Sequence, residues 1–135
     1  MSQLYDKGRE KFLRGEISWN TDDIRVMLVD TGAYTFSAAH EFLTSIVSAG
    51  GEVARSAAGL AGKTTTDGVA DANDHVIASV SGATIEAIAI FKWTGSDATS
   101  PLIAWIDAGT GLPLTPNGGD VTIKWDDGAN KIFKL

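Results

Sequence analysis

Ala83-Thr84-Ile85-Glu86-Ala87-Ile88-Ala89-Ile90-Phe91-Lys92-Trp93 is the stretch from which the fold can be read outward. Its period is two. Ile85, Ala87, Ala89, Phe91 and Trp93 share one face, and Glu86, Ile88, Ile90 and Lys92 share the other, so the middle is apolar on both sides, as in a central strand. Leu102-Ile103-Ala104-Trp105-Ile106 follows as an unbroken apolar run ending at Asp107, short enough to be a buried strand and too short for a helix. Val121, Ile123 and Trp125 alternate with Thr122 and Lys124, which describes a strand with one wet face. Asp126-Asp127-Gly128 supplies a turn, and Ile132, Phe133 and Leu135 form a last strand. Between these runs, residues 109–111 and Pro116-Asn117-Gly118-Gly119 carry turn chemistry.

Upstream, Leu4 to Ile17 predicts a short helix in which Tyr5, Phe12 and Leu13 share a stripe, although Gly8 and Gly15 each weaken a helix by about 1 kcal/mol. Ile24 to Asp30 predicts a strand that pairs with the later sheet. Ser37 is placed to cap a second helix, about Ala38 to Val47, which Gly50-Gly51 stops. Glu52 to Ala72 is poor in large apolar residues, with Val53, Leu60 and Val69 as its core candidates, and reads as exposed β segments and loops held by edge pairing. His75 to Val80 resumes a strand, with Val76, Ala78 and Val80 expected on one face.

With 135 residues, the chain suits one domain, 1–135, made of an N-terminal helical segment over 1–17 and a β-rich core over 18–135. The expected fold is mainly β, a β-sandwich of antiparallel sheets with one or two short helices packed at its side. Hydrophobic residues at 44% and charged residues at 21% are ordinary for a folded chain and argue against disorder. Lys+Arg 11 against Asp+Glu 17 leaves a net charge of -6, which repels phosphate backbones and argues against nucleic acid as a partner. Lys7, Arg9, Lys11 and Arg14 are interleaved with Asp6, Glu10 and Glu16 and read as a solvated helix face. The absence of cysteine removes disulfides, thiol catalysis and Cys-type zinc sites together. Met1-Ser2-Gln3-Leu4-Tyr5-Asp6 does not open a secretory signal and no apolar run is long enough to span a bilayer, so a cytoplasmic start and no membrane are expected.

Four patterns invite a chemical reading. Ala57 to Thr64 imitates the end of a phosphate-binding loop, but Ala57 stands where the first Gly belongs and Thr65-Thr66-Asp67-Gly68 is no helix start, so an ordinary loop is expected. Asp67, Asp71, Asn73 and Asp74 gather oxygen ligands at a spacing that does not fit a calcium loop, and turn chemistry explains them. His40 and His75, the two histidines, lie in no nucleophile motif. Glu86, Asp107, Asp126 and Asp127 are candidates for a carboxylate pair, with Glu86 expected to point out of the sheet. Trp93, Trp105 and Trp125 fall on strand positions that read as core, whereas Trp19 is expected to be the freest of the four tryptophans. No catalytic, cofactor or metal residue is assigned, and the chain is not expected to be an enzyme.

Three blocks carry a resemblance: Tyr5-Asp6-Lys7-Gly8-Arg9-Glu10 with Asp23 to Asp30 and His40-Glu41-Phe42-Leu43; Gly95 to Asp107 with Gly111-Leu112-Pro113 and Pro116 to Asp120; and Trp125 to Leu135. Over nearly its whole length the chain resembles small structural proteins of tailed bacteriophages. The resemblance implies a virion component, made in the host cytoplasm, and brings no catalytic residues with it. The expected role is a capsid decoration, or cement, protein bound to the outer shell, with the major capsid protein or other virion proteins as partners and a homo-oligomer on the particle. The alternatives are a tail, neck or fibre-associated virion protein, and a carbohydrate-binding module using Trp19 or another exposed aromatic. The N-terminal helix and Glu52 to Ala72 are the candidate contacts, and removing residues 1–15 is expected to leave melting behaviour largely intact.

Overall fold

The computed structural model describes residues 2–109 and 111–135. Met1, at the head of the expected N-terminal segment, and Thr110, within the expected 109–111 turn, lie outside the described residues. The fold is mainly β with few short helices, as expected. In chain order it comprises β1 (Ser2–Leu4), α1 (Asp6–Leu13), β2 (Ile24–Val29), α2 (Thr44–Ser48), β3 (Glu52–Arg55), β4 (Val69–Ala70), β5 (His75–Ile77), β6 (Ala87–Lys92), β7 (Leu102–Ile106), β8 (Val121–Ile123) and β9 (Phe133–Lys134). A five-stranded antiparallel sheet in the order β1-β7-β6-β2-β3 is the frame, and two two-stranded sheets, β4-β9 and β5-β8, accompany it.

β6 is the middle strand of the frame, as its two-sided apolarity predicts. Its alternation separates two cores. Ala87, Ala89 and Phe91 pack with Met27, Val29, Leu102 and Trp105 on one face, under Tyr5, Tyr34, Leu43 and Ile46. Ile90 packs with Val26, Leu28 and Ala104 on the other, under Trp19, Ile77, Ile123, Trp125 and Phe133. Each fully buried Ile, Leu or Phe is worth about 1.5–3 kcal/mol relative to exposure, so a sheet covered on both sides is the main source of stability. Ile85 departs from the expected face. It precedes the strand, pairs with Leu114 and joins the core opposite to Ala87.

A bulge adjusts the register of β7. Ile90 opposes Ala104 and Phe91 opposes Leu102, which leaves Ile103 as the extra residue. The freed Ile103 carbonyl accepts the Tyr5 N–H at 2.9 Å, fixing the junction between β1 and α1 on top of the bulge.

The N-terminal segment differs from expectation. Residues 2–4 form a strand paired with β7, and helix is confined to Asp6–Leu13. Tyr5 is fully buried while Leu13, expected in the same stripe, is 90% exposed. An edge strand, a buried Tyr and a buried Gly8 all fall within residues 1–15, so their removal strips part of the frame and cannot leave melting unchanged.

The second helix is also shorter than predicted. Leu43 N–H bonds to the Ser100 carbonyl and Leu102 N–H to the Glu41 carbonyl, both at 2.9 Å, so pairing with the start of β7 takes the backbone that a helix from Ala38 would need. Only Thr44–Ser48 remains helical, and Gly50, at φ 82, ends it as expected. In β5 the faces are reversed. Val76 is 51% exposed and Ile77 buried, because register with β8 turns Ile77 toward Ile123 and the core.

Candidate functional site

One concavity among the described residues is a groove of about 920 Å³. Its floor is the face of the main sheet at Leu28, Ile88 and Ile106, and its roof is the 111–117 loop with Leu112 and Leu114. That loop is tied down by a reciprocal pair of hydrogen bonds between Ile85 and Leu114, each 2.8 Å. The side wall is β8 and its continuation, where Val121, Thr122, Ile123, Lys124 and Trp125 line the space one after another. At the rim stand Asp120, Asp126 and Asp127 with Lys124 and Lys131. Two of these carboxylates also brace turns: Asp120 Oδ1 accepts the Ser79 N–H at 3.1 Å and Asp126 Oδ1 accepts the Gly128 N–H at 3.2 Å. An apolar interior with a charged rim suits binding.

On the opposite face of the sheet a polar chain threads the aromatic core. The Tyr5 hydroxyl lies 3.2 Å from the Tyr34 hydroxyl, which lies 2.7 Å from His40 Nδ1. Burial pushes the Tyr5 hydroxyl far above the ordinary tyrosine value, and the bond to Tyr34 adds to this. Burial raises Tyr34 as well. Phe36 stacks on Trp105 with ring centres 5.4 Å apart, beside Tyr34. The network ties the Tyr5 junction of β1 and α1 to residues 34–40.

The residues singled out from the sequence can now be placed. In the phosphate-loop imitation, Lys63 donates to the backbone carbonyl of Asp22, and burial lowers its pKa. Gly62, at φ +65, lies against the Asn73 side chain, so the segment is a clasp for the 71–73 turn. Among the described residues no group of three or more His, Asp or Glu is arranged to hold a metal ion; Asp71 instead offers its backbone carbonyl to Trp19. His40 belongs to the face that holds Tyr34, whereas His75 sits on β5, whose Ile77 packs on the other face, so the two histidines are not brought together. His75 Nε2 is buried without a hydrogen-bond partner among the described residues, and desolvation lowers its pKa. Asp107 accepts the Trp105 indole N–H at 3.2 Å. Glu86, expected to point outward, accepts the Thr31 N–H at 3.3 Å.

Trp19 corrects the expectation most plainly. It is 4% exposed, edge-on to Phe133, with its indole N–H bonded to the Asp71 carbonyl at 3.1 Å, and cannot serve as a sugar platform. Trp93 is the tryptophan that keeps some exposure, and Arg25 and Arg55 each stand within 6 Å of its ring centre, at 5.5 and 5.7 Å. Those guanidiniums are themselves held by Asp23, and by Glu52 and Asp97. The groove went unseen in the sequence because its lining comes from β2, β6, β7, β8 and two loops; the half-polar strand at Val121 to Trp125 was its one visible signal.

No protein-family model matches this chain, and comparison with curated proteins gives no match.

Proposed function

We propose that this protein is a non-enzymatic structural component of a tailed-bacteriophage virion, in the first place a decoration or cement protein that binds the outside of the capsid shell. The resemblance over nearly the whole chain supports this reading. The structural observation that carries it is the groove, an apolar slot beside a strand edge, while Tyr34, His40, Lys63, Asp107, Asp120 and Asp126 are engaged in holding turns and the core. A cement protein needs a rigid body and a surface that a shell subunit can fill, and a sheet covered on both faces supplies the rigidity.

Immunogold electron microscopy of particles from the phage that encodes the chain, with antibody to the purified protein, tests it. Dense label over the heads is the expected result, with about hundreds of copies per particle. Label confined to the neck, tail or fibres, at about a dozen copies or fewer, would move the protein to those parts of the virion. No label on intact or opened particles would end the virion reading.

A further inference from the structure

We propose that the groove receives an extended segment of a different polypeptide, added as a third strand along the free edge of β8, with alternate apolar side chains set onto Ile88 and Ile106. The first ground is geometric. Successive side chains of a strand point to opposite faces, yet Val121, Thr122 and Ile123 of β8, followed by Lys124 and Trp125, all line the groove, as they do when the backbone edge of the strand faces it. That edge is unpaired, since β8 bonds to β5 on one side and to no other strand among the described residues. An unpaired row of N–H and C=O groups beside an apolar floor specifies an occupant with its own backbone groups to offer, and so an extended peptide.

The second ground concerns which peptide. The protein's own terminal strands are in use, β1 against β7 and β9 against β4. The large exposed apolar side chains among the described residues are Leu13, Val76 and Leu135, too scattered in sequence to make an alternating strand that a second copy could donate. The occupant is therefore a segment of another chain, alternating apolar and polar residues. The rim carries three carboxylates, Asp120, Asp126 and Asp127, against two ammonium groups, Lys124 and Lys131, an excess of one negative charge that favours a segment flanked by lysine or arginine. The inference stands apart from the virion reading and is tested on the purified protein alone.

The probe is a panel of synthetic peptides of about seven residues, an ordinary strand length, in which valine, isoleucine, leucine or phenylalanine alternates with threonine between terminal lysines. Hydrogen exchange of the wild-type protein is followed by mass spectrometry with each peptide and with a counterpart carrying central proline. Binding of at least one alternating peptide, with slowed exchange at residues 121–125 and loss on proline substitution, is expected. Ile88→Lys, checked for folding by circular dichroism, should weaken that binding by about tenfold or more. Failure of every peptide to protect residues 121–125 would overturn the proposal, as would equal binding of the proline peptides. Protection that appears without peptide as protein concentration rises would assign the groove to a second copy and overturn it too.

Discussion

Gly8 of α1 lies so close to Leu102 of β7 that a Cβ on the glycine would stand 2.7 Å from the Leu102 carbonyl oxygen and 3.1 Å from the Cα of Ile103. The helix and the bulged strand touch backbone to backbone at this point. In an exposed helix, Gly→Ala adds about 1 kcal/mol of stability. Here Gly8→Ala must push α1 off the sheet, and a loss of about 1–3 kcal/mol is expected. Urea unfolding measures it, and a more stable G8A protein would show that α1 is not seated as described.

Trp19 and Trp125 grip one turn from two sides, through indole N–H bonds to the carbonyls of Asp71 at 3.1 Å and Asn73 at 3.0 Å. Trp19→Phe and Trp125→Phe each keep an aromatic ring and remove one indole N–H; the Asn73 carbonyl then loses its donor, whereas the Asp71 carbonyl keeps the Thr64 N–H at 3.0 Å. A loss of about 1–3 kcal/mol is expected for Trp125→Phe and a smaller one for Trp19→Phe. Faster amide exchange over residues 71–73 in both variants, read by mass spectrometry, separates loss of the grip from general destabilisation.

Alkaline pH should weaken the fold through Tyr5. In an unfolded chain tyrosine ionises near pH 10.0, whereas burial and the Tyr34 bond hold the Tyr5 proton well above that value in the folded protein. Above that pH the folded state binds more protons than the unfolded one, so stability falls as pH rises; below it the contribution is fully present. Urea unfolding from about pH 8 to about pH 11 should show the fall, and Tyr5→Phe should flatten it. An unchanged slope in Y5F would remove Tyr5 as its source.

Arg55 joins the edge strand β3 to the connection between β6 and β7. Its guanidinium donates to both oxygens of Glu52 and to Asp97 Oδ1 at 2.7 Å, with a longer bond to Oδ2 at 3.3 Å. All three side chains are about a quarter to a third exposed, so solvent screening limits the pair energies. Arg55→Lys keeps the charge and loses the planar fork, and should cost about 1 kcal/mol, with Asp97→Asn costing less. Equal stability of R55K and wild type in urea would show that point charge suffices.

Much of the frame was legible locally. The apolar runs at Ile24 to Val29, Ala87 to Phe91 and Leu102 to Ile106 became adjacent strands, because a strand buried on both faces leaves its mark in successive residues. The errors fall where a distant partner overrode a local preference. Leu43 bonded to Ser100 instead of continuing a helix, Ile77 turned inward because β8 set its register, and Trp19 followed the Asp71 carbonyl into the core. The groove was invisible for the same reason, being assembled from segments as far apart as Leu28 and Ile132.

By itself the sequence determined that this chain folds around antiparallel strands and where the main strands run, because side-chain alternation and turn chemistry act over a few neighbours. The tertiary structure alone decided that Gly8 is a seat for a helix and not its weak point, that Trp19 is a clamp, and that β8 pairs with no strand but β5 among the described residues, beside an apolar floor. Those outcomes depend on which backbone groups meet across tens of residues, and long-range hydrogen bonding and close packing settle that only when the whole chain is assembled.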